Sequence, residues 1–214
     1  MNRKLINYLG LTGLLAFLSY TAAVIFAPSA FPGYNWMEQA VSDLSAETAP
    51  SKLLWNQLAA FHGIGCMVCM TLVSVYVSER KIGTRLFRSG VYLFAIMELC
   101  SSVGYKMFPL ADSGKEIESF QEIMHMAVTA AVVLLSIVSL TLFIIAGCRE
   151  KKLRSLGIIA AIAFTMMFVG AIGFKAAPPQ YFGIFERFSV FSAVGFCAIL
   201  GLYLFSGFKK ASEA

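Results

Sequence analysis

The sequence predicts an all-α fold, an integral membrane bundle of six transmembrane helices with both termini cytoplasmic, forming one domain over residues 1–214. Three observations carry this. Hydrophobic residues make up 58% of the chain and charged ones 14%, against about 25% charged in soluble domains. The apolar residues fall in long runs and not in amphipathic stripes, and mean hydropathy is +0.75. Lysine and arginine are distributed unevenly between the two sets of connections.

The spans read as 5–27, 53–77, 86–107, 120–146, 153–174 and 185–208. Each exceeds the ~20 residues that cross a hydrocarbon core of about 30 Å. The first follows Arg3 and Lys4 and precedes Ala27-Pro28-Ser29-Ala30. It reads as a span and not a cleaved signal peptide, because its apolar core exceeds the roughly 7–15 residues of a signal h-region.

The segment between the first two spans, Pro28 to Lys52, is polar yet patterned. Asn35 with Glu38 three places on spells a capping box. Trp36, Met37, Ala40, Val41 and Leu44 share one helical face, with Glu38, Gln39, Ser42 and Asp43 on the other. A short amphipathic helix over 35–46 is expected there, lying across the bundle mouth.

Orientation follows from Lys and Arg, which concentrate in cytoplasmic loops. Twelve of the 17 fall on one side, at Arg3 and Lys4, between Arg80 and Arg88, between Arg149 and Arg154, and at Lys209 and Lys210. Lys52, Lys106, Lys115, Lys175 and Arg187 fall on the other. The net charge of +5 is thus explained by topology and anionic headgroups, not by nucleic acid. Cys66, Cys69, Cys100, Cys148 and Cys197 lie in apolar runs or at their basic ends, so no disulfide framework is expected.

The three outer connections carry Pro, aromatic and acidic residues, and polar groups open each following helix. Within the third span Glu98 lies near the midplane, where a carboxylate costs roughly 2.5–3.5 kcal/mol. Ser101, Ser102 and Tyr105 share its face. This stripe either lines a path for a ligand, ion or proton, or is structural. In the fourth span Glu118, Glu122, His125, Thr129 and Ser136 form a second stripe. Glu122-x-x-His125 is half of a carboxylate-bridged di-iron signature. The chain has only His62 and His125, so neither the second half nor a three-His zinc site exists. No metal and no cofactor are expected. Cys66-x-x-Cys69 has redox spacing but sits in an apolar helix, where burial makes a thiol inert. Glu186 and Arg187 point about 100° apart on a helix, so each must find its own partner. Lys175 is read as snorkelling to headgroups. No phosphate loop or nucleophile motif is present, although Ser42, Asp43 and His125 can be drawn as a triad.

Pro32-Gly33-Tyr34-Asn35, Ser42-Asp43-Leu44 with Ala49-Pro50, Phe108-Pro109, His125 and Gly183-Ile184-Phe185-Glu186-Arg187 occur in an order that resembles a six-span prokaryotic family, domain of unknown function 998. That family is in turn similar in architecture to DRAM-type and Frag-type membrane proteins. The resemblance covers nearly the whole chain. It implies the topology and a shared outer site of Asn35, Asp43, His125, Glu186 and Arg187, with Asp112 a weaker member. It implies no reaction. Ala111 stands where the family carries its acidic residue, and Ser45 where it often has Gly.

Three functional classes follow. The leading one is a cell-membrane protein that binds or moves a lipid or small amphiphile in an outward-facing pocket. Asn35, Asp43, Glu98, Tyr105, Glu122, His125, Glu186 and Arg187 would line that pocket. The second is a membrane enzyme on a lipid or polyprenyl substrate, with His125 as general base and Glu122, Asp43 or Glu186 beside it. The third is a structural partner of another membrane protein, using a seam of small residues such as Ala161, Thr165 and Gly170. Membrane lipids are the expected partners in all three.

Overall fold

The computed structural model describes residues 4–111 and 119–208. Asp112, Lys115 and Glu118 lie outside them, as do Arg3, Lys209 and Lys210. The described chain is helical, and six of its segments are long and apolar enough to cross a membrane. Helix α1 (Leu5–Leu9) and α2 (Leu11–Phe26) make the first span, ending in a 3₁₀ turn at Ala27–Ala30. Helices α3 (Lys52–Leu58) and α4 (His62–Glu79) make the second. The others are α5 (Arg85–Met107), α6 (Phe120–Arg149), α7 (Arg154–Ala176) and α8 (Phe182–Phe205).

The helices stand in the ring order α2, α4, α5, α6, α7, α8, and α8 closes the ring against α2 while also touching α4 across the middle. Aromatic side chains fill the centre. The Phe196 ring lies 5.3 Å from Phe94 and 5.1 Å from Phe143, bridging α5, α6 and α8. Phe208, fully buried, plugs the basic end between Tyr76, Phe87 and Tyr203. Asn7 ties the first helix to the last, its Nδ2 donating to the Leu204 carbonyl at 2.7 Å.

Two local expectations are corrected. The second span is not one rod, because it breaks at residues 59–61. There the Leu58 carbonyl, which an unbroken helix would spend on His62, instead accepts from the Ser19 hydroxyl at 2.5 Å. The His62 amide turns back to Ala59. The 35–46 segment is not an amphipathic α-helix. A single turn forms at Asn35, a 3₁₀ turn follows at Ser42–Ser45, and the pieces between them are irregular. Trp36 and Met37 are exposed, while Asp43, assigned to the polar face, is buried with Ala40, Val41 and Leu44. The amides of Ala40, Val41 and Ser42 are claimed by the carboxylates of Asp43 and Glu186, so the i→i−4 ladder cannot continue through them. The expected capping partner also differs, since Gln39 Oε1, not Glu38, accepts from the Asn35 amide at 2.7 Å.

Glycines set the closest helix approaches. A Cβ on Gly147 would lie 2.6 Å from the Cα of Gly157, where α6 crosses α7. Gly147→Ala is expected to lower stability by about 1–3 kcal/mol through overpacking. Gly195→Ala, whose Cβ would meet nothing closer than 3.9 Å, is expected to be neutral or to gain up to about 1 kcal/mol from helix propensity. Thermal unfolding in detergent compares the two. Gly170, assigned to an exposed small-residue seam, is instead buried under Ser189 and Phe185 of α8. Ala161 is half-buried, and Thr165 is exposed and donates to the Ala161 carbonyl at 2.9 Å.

Candidate functional site

The polar residues singled out in the sequence fall into three groups. The first joins the 34–45 segment to the start of α8, and we call that end of the bundle the cap end. Arg187 reaches out of the first turns of α8. Its Nη2 donates to the Tyr34 hydroxyl at 2.7 Å, and its Nη1 donates to the carbonyls of Gln39 (3.1 Å) and Gly183 (2.8 Å). The guanidinium also lies 5.9 Å from the Trp36 ring centre, within cation–π range. Tyr34 passes its own proton to the Ala40 carbonyl at 2.7 Å. Burial pushes its phenol up to about 12, against the opposing pull of Arg187, so it stays a neutral donor and acceptor at physiological pH.

Glu186, one residue earlier, serves the next stretch of the same segment. Its carboxylate accepts from the Val41 amide, and from the Ser42 amide and hydroxyl at 3.4 Å each. The expected divergence of Glu186 and Arg187 is what lets one helical turn hold two parts of the segment. Asp43 accepts from the Ala40 amide at 2.9 Å, and the Ile184 amide donates to the Met37 carbonyl at 3.3 Å. Gly183 allows this docking. A Cβ there would stand 2.2 Å from the Gln39 carbonyl oxygen and 2.5 Å from that of Trp36. Asn35 is exposed and works locally, accepting from the Met37 amide at 3.1 Å.

The second group joins α5 to α6. Tyr105 donates to Thr129 Oγ1 at 3.2 Å, which donates to the His125 carbonyl at 3.0 Å. His125 Nδ1 lies 2.9 Å from the Phe108 carbonyl oxygen. A carbonyl can only accept, so Nδ1 is the donor in this bond. The hydrogen bond given to His125 is thus to backbone, not to the carboxylate that a general-base reading requires. Glu122 completes a capping box with Ser119: Oε2 accepts from the Ser119 amide at 3.0 Å, while Ser119 Oγ accepts from the Glu122 amide at 3.2 Å. The Ser119-x-x-Glu122 spacing was a readable signal for that role.

The third group lies deep in the bundle. Glu98 is separated from its supposed stripe: Ser102 donates to the Gly63 carbonyl of α4 at 3.3 Å, and Tyr105 turns to α6. Glu98 instead meets Cys66 and Cys197, with one ligand atom from each within 4.8 Å of the others. His62 Nδ1 lies 3.8 Å from Cys66 Sγ, and the His62 ring packs 4.6 Å from that of Tyr20. Nothing in the sequence singles out Cys197 as a neighbour of Glu98; only the crossing of α4, α5 and α8 makes it one.

A fourth feature is apolar. Leu99, Val103 and Gly104 of α5 and Met124, Ala127 and Val128 of α6 line an open groove of about 490 Å³. Leu99 and Val103 are exposed on its lipid side. Gly104 allows the two helices to close under it, since a Cβ there would stand 2.8 Å from Val128.

The residues that form the cap and the α5–α6 group lie within or beside a stretch that matches a known family model, over residues 14–203. No curated protein and no solved structure matches the chain. With the match covering nearly its whole length, this multi-pass membrane protein belongs to DUF998, a family of proteins of unknown function.

Proposed function

We propose that the protein binds an anionic lipid at the cap end, with an acyl chain in the α5–α6 groove and the headgroup at Lys106. The wholly apolar groove carries this reading. Its volume falls within the roughly 300–1,000 Å³ of ligand sites, and its walls offer an acyl chain nothing polar. Lys106 is exposed in the last turn of α5, seven residues beyond Leu99 and three beyond Val103, on the same helical stripe. The Lys and Arg asymmetry supports an orientation with the cap end outside and both termini inside, and we place the protein in the plasma membrane as part of this proposal. In this reading the interior is a packed support and not the pocket, since Phe94, Phe143 and Phe196 occupy its centre.

Native mass spectrometry of protein released from membranes in mild detergent tests it. Wild type should retain about one lipid per chain. Val103→Trp, which fills the groove from its exposed side, should lower retention roughly tenfold, a change of about 1.4 kcal/mol. Lys106→Gln should shift the retained species from anionic to zwitterionic lipids. Equal retention by Val103→Trp and wild type would remove the groove as the site.

A further inference from the structure

The cluster at the crossing of α4, α5 and α8 serves neither the cap nor the groove. Cys66 and Cys197 are fully buried and Glu98 is 4% exposed. Three helices, the neighbours α4 and α5 and the distant α8, each contribute one side chain, and the three ligand atoms lie within 4.8 Å of one another. In a tetrahedral zinc site, with Zn–S about 2.3 Å and Zn–O about 2.0–2.2 Å, ligand atoms stand roughly 3.5–3.8 Å apart. Closing the cluster onto an ion therefore takes a shift of about 1 Å, within the reach of χ rotation.

The chemistry of the surroundings calls for a positive charge. A carboxyl at midspan is costly, and the side chains that reach Glu98 are the two thiols, which are weak hydrogen-bonding groups. Among the described residues no Lys or Arg is paired with Glu98, and the Lys52–Glu47 ion pair lies at the start of α3. Sulfur selects against Mg²⁺ and Ca²⁺. Two thiolates and a carboxylate carry three negative charges, so a divalent ion leaves a smaller buried residue of charge than Cu(I) does. His62 Nδ1 lies 3.8 Å from Cys66 Sγ, next to the three-atom cluster and outside it.

The geometry points to a binding site for a borderline divalent cation of the Zn²⁺ class, held by Cys66 Sγ, the Glu98 carboxylate and Cys197 Sγ. Two S–H bonds and one O–H bond break, two metal–sulfur bonds and one metal–oxygen bond form, and three protons leave to solvent. No electron moves. The ion ties α4, α5 and α8 together at one level.

The test uses the full chain in detergent, reduced, stripped with chelator and dialysed against Zn²⁺ or Co²⁺. Wild type should bind one metal per chain by elemental analysis, and the Co²⁺ form should show a thiolate-to-metal charge-transfer band. Loss of a supporting group around a metal site already costs 10–100-fold in affinity. Cys66→Ser and Cys197→Ser should each cost at least about a hundredfold and abolish the band, and Glu98→Gln should cost about tenfold or more. Cys148→Ser, an exposed thiol, and Val103→Trp in the groove should bind as wild type. Should a cluster variant fail to fold, wild type alone decides: the reduced, stripped protein should take up one Co²⁺ per chain and show the thiolate charge-transfer band, and added chelator should remove both. No uptake by reduced wild type, or a band that survives both serine variants, overturns the site.

Discussion

Glu186→Ala is expected to unseat the 34–45 segment and to destabilise the protein by about 3–5 kcal/mol, the range for breaking a buried charge network from one side. The carboxylate accepts from the Val41 amide and from Ser42, and Val41 is 1% exposed. Without it a buried N–H loses its partner, which alone costs about 1–3 kcal/mol. The charge attraction between Glu186 and Arg187 is lost as well. Glu186→Gln keeps one acceptor oxygen and should cost about 1–3 kcal/mol. Glu38→Ala, on the exposed side of the same segment, should stay within about 0.5 kcal/mol. The check is thermal unfolding in detergent together with limited proteolysis. The Ala variant should be cut between residues 34 and 45 under conditions that leave wild type intact. An uncut segment would mean that Arg187 and Tyr34 hold it unaided.

Gly183→Val is expected to be the other severe change. The obstacle is backbone: the Gln39 and Trp36 carbonyl oxygens stand 2.2 and 2.5 Å from where the Cβ would be. No rotamer relieves such a contact, so the segment must move off α8. Overpacking costs typically 1–3 kcal/mol and more where the neighbour cannot yield, and the branched side chain places this site at about 3 kcal/mol or above. Displacement also separates Arg187 from the Gln39 carbonyl and from Tyr34. The Tyr34 phenol should then return toward its ordinary value near 10 from about 12, readable by ultraviolet titration of Tyr34→Phe against its parent. A neutral phenol stabilises the fold up to pH 10, and that contribution is lost as pH rises toward 12. Gly183→Val should lose this alkaline transition even in molecules that remain folded.

The two variants also test what the outer motif is for. The family resemblance implied a shared site of Asn35, Asp43, His125, Glu186 and Arg187. Asn35 is exposed and His125 bonds to Phe108 from α6, while the structure gathers Asp43, Glu186 and Arg187 at one segment with Tyr34 and Gly183. Their unity is that of a clasp, in which each polar tip is engaged by backbone amides, carbonyls or the tyrosine hydroxyl. His125 and Glu122 engage the second connection in the same way, through Phe108 and Ser119. Residue type and position showed that polar groups gather at the cap end. Whether those groups face one another or face the backbone depends on how many amides the irregular 36–46 segment leaves unpaired, and local pattern does not reveal that.

Six spans, their approximate limits and their antiparallel order were fixed by hydropathy alone, because in hydrocarbon every backbone group must be satisfied inside its own segment and only a helix does this. That requirement acts along the chain and can be read along it. The break after Leu58, the irregular cap and the meeting of Cys66, Glu98 and Cys197 were decided by tertiary structure. Each arises where a partner from a distant segment competes with, or adds to, local bonding: Ser19 for a carbonyl, Glu186 for an amide, α8 for a carboxyl on α5. Such competition is settled by helix crossings, which no single stretch of sequence contains.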